Sequence, residues 1–348
     1  MIAIFIIVAA ILTALLLGSV FIAISGENPI KIYIQLVKGA YGSNVLRGIT
    51  ISKMATLLLV GLGVGIAFKC NLVNIGGDGQ LLMGALGSAL AALYLDNIPT
   101  MLHILLCFLM GFLFGAVWGM IAGLLKAYKG MSEMITTIML NYIATWFVSF
   151  LVNGVLKDTE SNYPYPWTPE VPDRLKLASL FGTRVNIGIL IALAIAVAIF
   201  WYLRYTASGY ELRASGKNAE AASFVGINVN RSVVKAMALS GGLAGMAGTV
   251  ELLGSQFRVS DTFANGYGFD GVAVAFLANS NPIGTIFSSF FFSSLQCGAE
   301  NVARITNVSS SVSGIIQGLI ILLILIGTSK KLNRVMKGVL ERRKKQHE

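Results

Sequence analysis

The chain has 348 residues, 55% of them hydrophobic and 12% charged, with a mean hydropathy of +0.76. That balance excludes an ordinary soluble domain, and several apolar runs reach the roughly 20 residues needed to cross a bilayer core of about 30 Å. The net charge of +10 is no nucleic-acid footprint: residues 328–348 carry +6, 204–235 carry +3 and 126–133 carry +1, while 156–186 balances four basic residues against four acidic ones. The positive-inside rule puts the first three segments in the cytoplasm and 156–186 outside. Backbone groups in lipid must be satisfied internally, so the spans are expected to be helices. The alternation of an outer-membrane barrel is absent. The expected fold class is all-α: a single polytopic membrane domain over 1–348, with its C-terminus in the cytoplasm.

In chain order, the first apolar run covers about 2–24. It lacks both a basic start and an A-x-A cleavage site, so it reads as a retained span of a chain trimmed or mis-started at its N-terminus. Residues 29–45 mix apolar residues with Lys31 and Lys38 and read as an interfacial helix or external loop. Spans follow at about 50–68, 79–95, 101–125, 133–155, 187–203 and 234–254. The fourth span carries Gly111, Gly115, Gly119 and Gly123, one smooth stripe at i+4 that lets another helix approach closely; Gly241 and Gly245 are spaced the same way. The insert 156–186 holds Pro164, Pro166, Pro169 and Pro172 among aromatics, which precludes a regular helix there. Past residue 254 an odd number of crossings must precede an internal tail. Three give about ten spans; one, with a re-entrant 266–282, is the alternative.

Two polar stretches interrupt the apolar pattern, near 69–80 and 266–282. Asn71-Leu-Val-Asn-Ile-Gly-Gly-Asp-Gly-Gln80 leaves almost no room for a conventional loop. Unwound backbone at membrane depth is tolerated only where it is buried in protein or lines a wet cavity. Asn74, Asp78 and Gln80 supply hydrogen-bonding groups there, as a pathway element or as a tight turn with Asp78 as a cap. In the second stretch Asp270 is placed to begin a short helix, where an acid suits the helix dipole, or to meet solute. Asn279, Asn281 and Pro282 break the chain after it. Glu251 and Glu300 are costly in a span and are expected to face a cavity or a partner, with Arg304 four residues on as a local partner for Glu300. Asn141 either bonds between helices or reaches solute. His103 reads as an interfacial residue, and Cys70, Cys107 and Cys297 as packing residues. No phosphate-binding loop G-x-x-x-x-G-K-[ST], catalytic cluster or metal-ligand spacing occurs, so neither enzyme activity, metal nor cofactor is expected.

The last polar stretch, 204–235, carries a short capped helix. Asn218 suits an N-cap, Ala219, Glu220, Ala221 and Ala222 favour helix, and Gly226 is a usual stop. These residues are expected to present a small, flat face to a partner.

ELRASGKNAEAASFVGINVNRSVVKAMALSGGLAGMAG resembles the cytoplasmic coupling loop and following span of permease subunits in bacterial ABC importers for branched-chain amino acids, simple sugars and nucleosides. NIGGDGQ resembles that family's N-x-G-x-E/D-G-Q element, with Asp78 where Glu is usual, and GFDGVAVA resembles its GFDGIAVA. The resemblance covers about Leu58 to Ile326. It implies a separate ATPase subunit docked on Arg213, Gly216, Asn218, Glu220, Ala221, Ala222 and Gly226. It also implies a second permease, alike or homologous, an external solute-binding lipoprotein, and ten spans. A translocation path near Asn74, Asp78, Gln80, Asn141, Glu251, Asp270, Asn279 and Glu300 is the matching expectation. Membrane lipid is a further partner, with the basic tail on anionic headgroups; nucleic acid is not. The long form and the spelling NIGGDGQLLMGA are most similar to nucleoside permeases; simple sugars come second and branched-chain amino acids third. An ion-coupled secondary transporter using Asp78, Glu251 and Glu300, and a membrane enzyme, are the readings from other classes.

Overall fold

A computed structural model describes residues 26–95, 97–159, 165–180, 184–264 and 266–305, with short stretches at 12–13, 16–20, 22–24 and 318–319. Most of the first apolar run, the run at 311–327 and the basic tail 328–348 lie outside the described residues. Among those described, regular structure is helical apart from a single bridge between Ser179 and Asn186. The helices are α1 Pro29–Tyr41, α2 Asn44–Lys69, α3 Gly77–Tyr94, α4 Thr100–Lys129, α5 Glu133–Asn153, α6 Gly188–Tyr205, α7 Ala207–Lys217, α8 Ala219–Phe224, α9 Val229–Glu251, α10 Tyr267–Leu277 and α11 Pro282–Ile305. Five of the described helices are long and apolar enough to cross a membrane: α2, α4, α5, α6, and α9 with its extension to Gln256.

The chain divides into two compact units, 1–46 with 294–348, and 47–293. In the first, α1 starts where Asn28 Oδ1 accepts from the backbone N–H of Ile30 at 2.9 Å, with Pro29 as the first helical residue, where its missing N–H costs nothing. Gly298 lies against the Leu36 carbonyl and Gly39 against Asn301. Glu300 sits half-exposed in this unit.

The second unit is built on glycine. The α4 stripe backs directly onto α9: neither Gly115 nor Gly241 has room for a Cβ against the other's carbonyl, and Gly119 meets the Met237 carbonyl. Gly84 of α3 closes on Gly245, and Gly248 on the Leu81 carbonyl. Small residues let three backbones touch, so dispersion contacts and backbone dipoles hold helices that hydrophobicity alone would not separate from lipid. Burial sorts the layers. Over its apolar window α2 is 83% buried and α9 72%, against 28% for α4, α5 and α6. Accordingly α5 and α6 expose Trp146, Phe150, Val197 and Trp201 outward.

Three segments depart from helix. After α2, residues 70–76 unwind, with Asn71 at φ 59°. After α9, Leu252–Gln256 forms a π-helical turn that ends at Phe257, φ 60°. Between α10 and α11 both Asn279 and Ser280 take positive φ. With its 11 residues, α10 is about 16 Å long, half a bilayer core.

Residues 165–180 form an extended strap with one short turn at Asp173–Leu175, as Pro166, Pro169 and Pro172 dictate. The strap is stitched to the π turn by backbone bonds: Thr168 N–H to the Val259 carbonyl, Val171 N–H to Phe257, and Leu177 N–H to Leu253 at 2.8 Å. Arg258 adds charge, donating to Asp158 at 2.6 Å and to Glu170 at 3.4 Å, and its guanidinium lies over the Trp167 ring.

Candidate functional site

The two polar stretches meet. Gly77 and Gly268 are packed against each other with no room for a Cβ, and Val60 of α2 lies beside both Gly77 and Gly271. From that level α3 runs one way along α9, reaching Gly245 and Gly248. The other short helix, α10, runs the opposite way along α2, with Val274 at Gly61 and the Phe276 ring 4.5 Å from that of Phe68. Two helix N-termini therefore stand head to head inside the unit, each with N–H groups that have no partner within their own helix and a positive dipole end.

Asp78 answers both. It occupies the first turn of α3, and its Oδ1 accepts from the Gly268 N–H at 2.8 Å. Gly266, the residue before α10, makes no side-chain cap, so the carboxylate of one helix caps the other. Asp270 stands half-buried in the first turn of α10, where its charge favours the same dipole.

The break before α3 is fastened from three sides. Asn74 and Gln80 form a reciprocal amide pair, at 2.8 and 3.1 Å. Asn74 also donates to Ser240 of α9 at 2.7 Å and accepts from the Gly76 N–H at 2.9 Å. That uses every hydrogen-bonding position of the amide. Asn141 of α5 accepts from the Gly79 N–H and donates to the Ile75 carbonyl, both at 2.9 Å. Buried backbone groups must find partners, and these side chains supply them.

This arrangement revises several sequence expectations. Asn74 and Gln80 are each 1% exposed and serve the packing, because the unwound turn needs their amides. Asp78 and Gln80 belong to the helix that follows the break, not to the break itself. Asp78 and Asn141 do line one cavity, of about 230 Å³, with Tyr142, Asp261 and Phe269. Asn279 lies at the far end of α10, where its carbonyl accepts from Lys69 at 3.5 Å, so it is not gathered with Asp78. Glu251 sits one helix end away; Thr56 donates to its Oε2 at 2.8 Å and Gln256 to its Oε1 at 3.2 Å. His103 is fully buried, with Nε2 2.8 Å from the Ala91 carbonyl, because the start of α4 packs on the end of α3. Ser240 escaped the sequence reading: a serine among many carries no signal.

At the loop end, Asn218 Oδ1 accepts from the Ala221 N–H at 3.0 Å. Gly226, φ 86°, closes α8, with Ile227 N–H bonded back to the Ala222 carbonyl, a Schellman stop. Ala222 is buried, so the expected flat alanine face is narrower than the spelling implied. The six-residue α8 turns Ala222 inward and leaves Glu220, Ala221, Phe224 and Val225 out, with Phe224 91% exposed. Before it, α7 is a helix the sequence hid behind two glycines and two serines, all weak helix formers. Thr206 caps it, accepting from Gly209 N–H at 3.0 Å. Gly216 of α7 lies directly on the Lys69 carbonyl and the Cys70 backbone. Lys235 of α9 pairs with Glu211 of α7 at 3.6 Å, and Arg213 turns back to the Gly209 carbonyl at 3.4 Å.

A family model described as branched-chain amino acid transport system / permease component matches residues 46–325. The guanosine ABC transporter permease protein NupP of Bacillus subtilis is 31% identical over 90% of this chain and 91% of its own. The nucleoside ABC transporter permease protein NupB of Lactococcus lactis is 34% identical over 85% of this chain and 83% of its own. The glucose ABC transporter permease protein TsgB13 of Haloferax volcanii is 29% identical over 95% and 89%. The chain belongs to this family: it is a multi-pass membrane permease subunit of an ABC transporter.

Proposed function

We propose that this permease forms part of the pathway of an ATP-driven importer, with a nucleoside as its solute. A separate ABC ATPase binds beneath α8, a second permease completes the pathway, and an external binding lipoprotein delivers the solute. The 204–235 loop and the 328–348 tail then lie in the cytoplasm, the strap within 156–186 lies outside, and about ten segments cross the membrane.

The observation that carries the reading is a continuous physical link. The outward side chains Ala221 and Phe224 are followed inward by α7, and Gly216 of α7 rests on Lys69–Cys70, the residues that lead into the break before Asp78. An ATPase that moved α8 by a few ångströms would move the break, and with it the head-to-head contact of α3 and α10. A junction held by a handful of directional hydrogen bonds has discrete alternatives, as a two-state gate requires. The pathway-side groups are Asp78, Asn141 and Asp270. The nucleoside assignment follows the substrates named for the two bacterial relatives; the glucose relative keeps a simple sugar as the second reading.

Uptake of labelled guanosine by cells with and without the gene, repeated with excess nucleoside, ribose or leucine and after ATP depletion, tests it. ATP-dependent uptake competed by nucleosides alone is expected. Uptake that survives ATP depletion and collapses with the ion gradient would overturn the mechanism. For the docking helix, Ala221→Arg is expected to abolish uptake while leaving the permease folded; normal uptake by that variant would refute docking there. Ala222→Arg would test only packing, since that methyl is buried.

A further inference from the structure

A second cavity, of about 520 Å³, opens at the strap end of the second unit. Three elements converge on it. From α2 come Ser52 and Lys53, from the stretch before α6 Arg184 and Asn186, and from the end of α9, its π turn and the residue after it Glu251, Ser255 and Phe257. Its volume falls inside the range of about 300–1,000 Å³ typical of small-molecule sites, whereas the 230 Å³ cavity at Asp78 falls below it.

The lining carries its own chemistry. Glu251 is 5% exposed and yet faces this space, and a carboxylate in a span normally meets a partner or a cavity. Thr56 donates to its Oε2 and Gln256 to its Oε1, and the charge of Lys53 acts on it. Two cationic side chains and one acid give the wall mixed sign: an anion would meet Glu251, a cation Lys53 and Arg184. Ser52 is already bonded to the Arg184 carbonyl and Asn186 to Gly254 and Gly188, so the open hydroxyls of the lining are those of Ser179 and Ser255, and Phe257 adds an apolar side. The backbone here is also unusual. A π turn and a bulky residue at φ 60° are features that concentrate at ligand sites, and the strap bonds described above hold them in place.

We infer that this cavity is the solute's first holding site within the chain, taking a neutral ring compound rich in hydroxyl and N–H groups, nucleosides being the fitting class. Glu251 accepts from the solute's donors, Lys53 and Arg184 donate to its oxygens, and Phe257 walls the ring. The inference rests on the proposed import of such solutes, and it places the site under the strap, where an external binding protein would release its cargo.

The test uses the intact transporter with its ATPase and binding protein. Uptake of labelled guanosine is measured for Glu251→Gln, Lys53→Gln and Ser255→Trp, the last filling the cavity rim. Direct binding of the same compound to the purified complex without the binding protein is measured alongside, and co-purification of the ATPase checks assembly. KM is expected to rise about tenfold with the maximal rate changed by less than about twofold, the signature of lost binding common to ground and transition states. Direct binding is expected to weaken in parallel. If Glu251→Gln fails to assemble, Lys53→Gln and Ser255→Trp decide. Wild-type KM and wild-type binding in both would overturn the inference. A wild-type protein that takes up ribose or leucine instead of guanosine would sink the nucleoside reading alone; the same variants, read on that solute, would still be expected to raise KM.

Discussion

The α4–α9 seam and the α3–α10 junction sit in the same unit and hold helices together by opposite means. At the seam, glycine meets glycine and nothing polar is required: the fit is steric, and almost any added atom has nowhere to go. At the junction, glycines again permit close approach, but the ends are held by directional bonds: Gly268 N–H to Asp78 ties α10 to α3, and bonds of Asn74, Gln80, Asn141 and Ser240 fasten the break before α3. A steric seam tolerates sliding along its stripe while resisting separation. A hydrogen-bonded junction resists small shifts and then lets go, since each bond is lost within a few tenths of an ångström to an ångström. The molecule has put the first in its frame and the second where a gate is proposed.

The difference can be sharpened by breaking each part in turn. Gly115→Leu should be the most damaging change, because its side chain would meet the α9 backbone at both Gly241 and Gly245; a loss of about 3 kcal/mol or more is expected, read as a collapse of the purified protein's thermal midpoint. A folded, wild-type-like Gly115→Leu protein would mean that the seam is looser than described. Asn141→Leu comes next. It leaves the Gly79 N–H and Ile75 carbonyl without partners, a cost of about 2 kcal/mol or more, and transport should fall further than stability explains, which parallel uptake and melting curves would reveal. For Asp78 the conservative variant is informative. Asp78→Ala removes the cap on α10 and should cost about 1–2 kcal/mol. Asp78→Asn keeps an acceptor for Gly268 and should recover most of that, so equal losses in the two would contradict the capping role.

The smallest effect belongs to the strap. Lys176 holds the Glu170 carboxyl below its ordinary value of 4.5, with Arg258 a lesser cause. A carboxylate with a depressed folded value stabilises above its ordinary value and loses that contribution as pH falls through the depressed one. The pair is exposed, so the contribution is about 1 kcal/mol at most. The thermal midpoint should dip slightly more between pH 5 and pH 3 in the wild type than in Lys176→Gln; identical curves would show that the strap is held by its backbone bonds alone.

Much of this was legible from spelling. Glycines every four residues announce a helix contact whatever the partner, because the period is a property of one helix. Asn218 and Gly226 announce a cap and a stop because the bonds they make are local. The prolines of the strap forbid helix by themselves. The polar stretches at 69–80 and 266–282 were recognisable as interruptions, since apolar runs of known length must end somewhere.

What the stretches do was another matter. Nothing within NIGGDGQ says that Asn74 will pair with Gln80 and reach Ser240, 166 residues away, or that Asp78 will cap a helix 190 residues further along. Nor does the alanine run at 219–222 say which methyl turns inward. The sequence by itself determined the long apolar helices, the two polar interruptions and the residues small enough to touch, because those follow from the reach and chemistry of a chain with itself; α7 and the π turn after α9 were not among them. Only the tertiary structure decided which polar groups are spent on other backbone and which remain open to a cavity, because a hydrogen bond between distant residues exists only once packing has brought its two ends together.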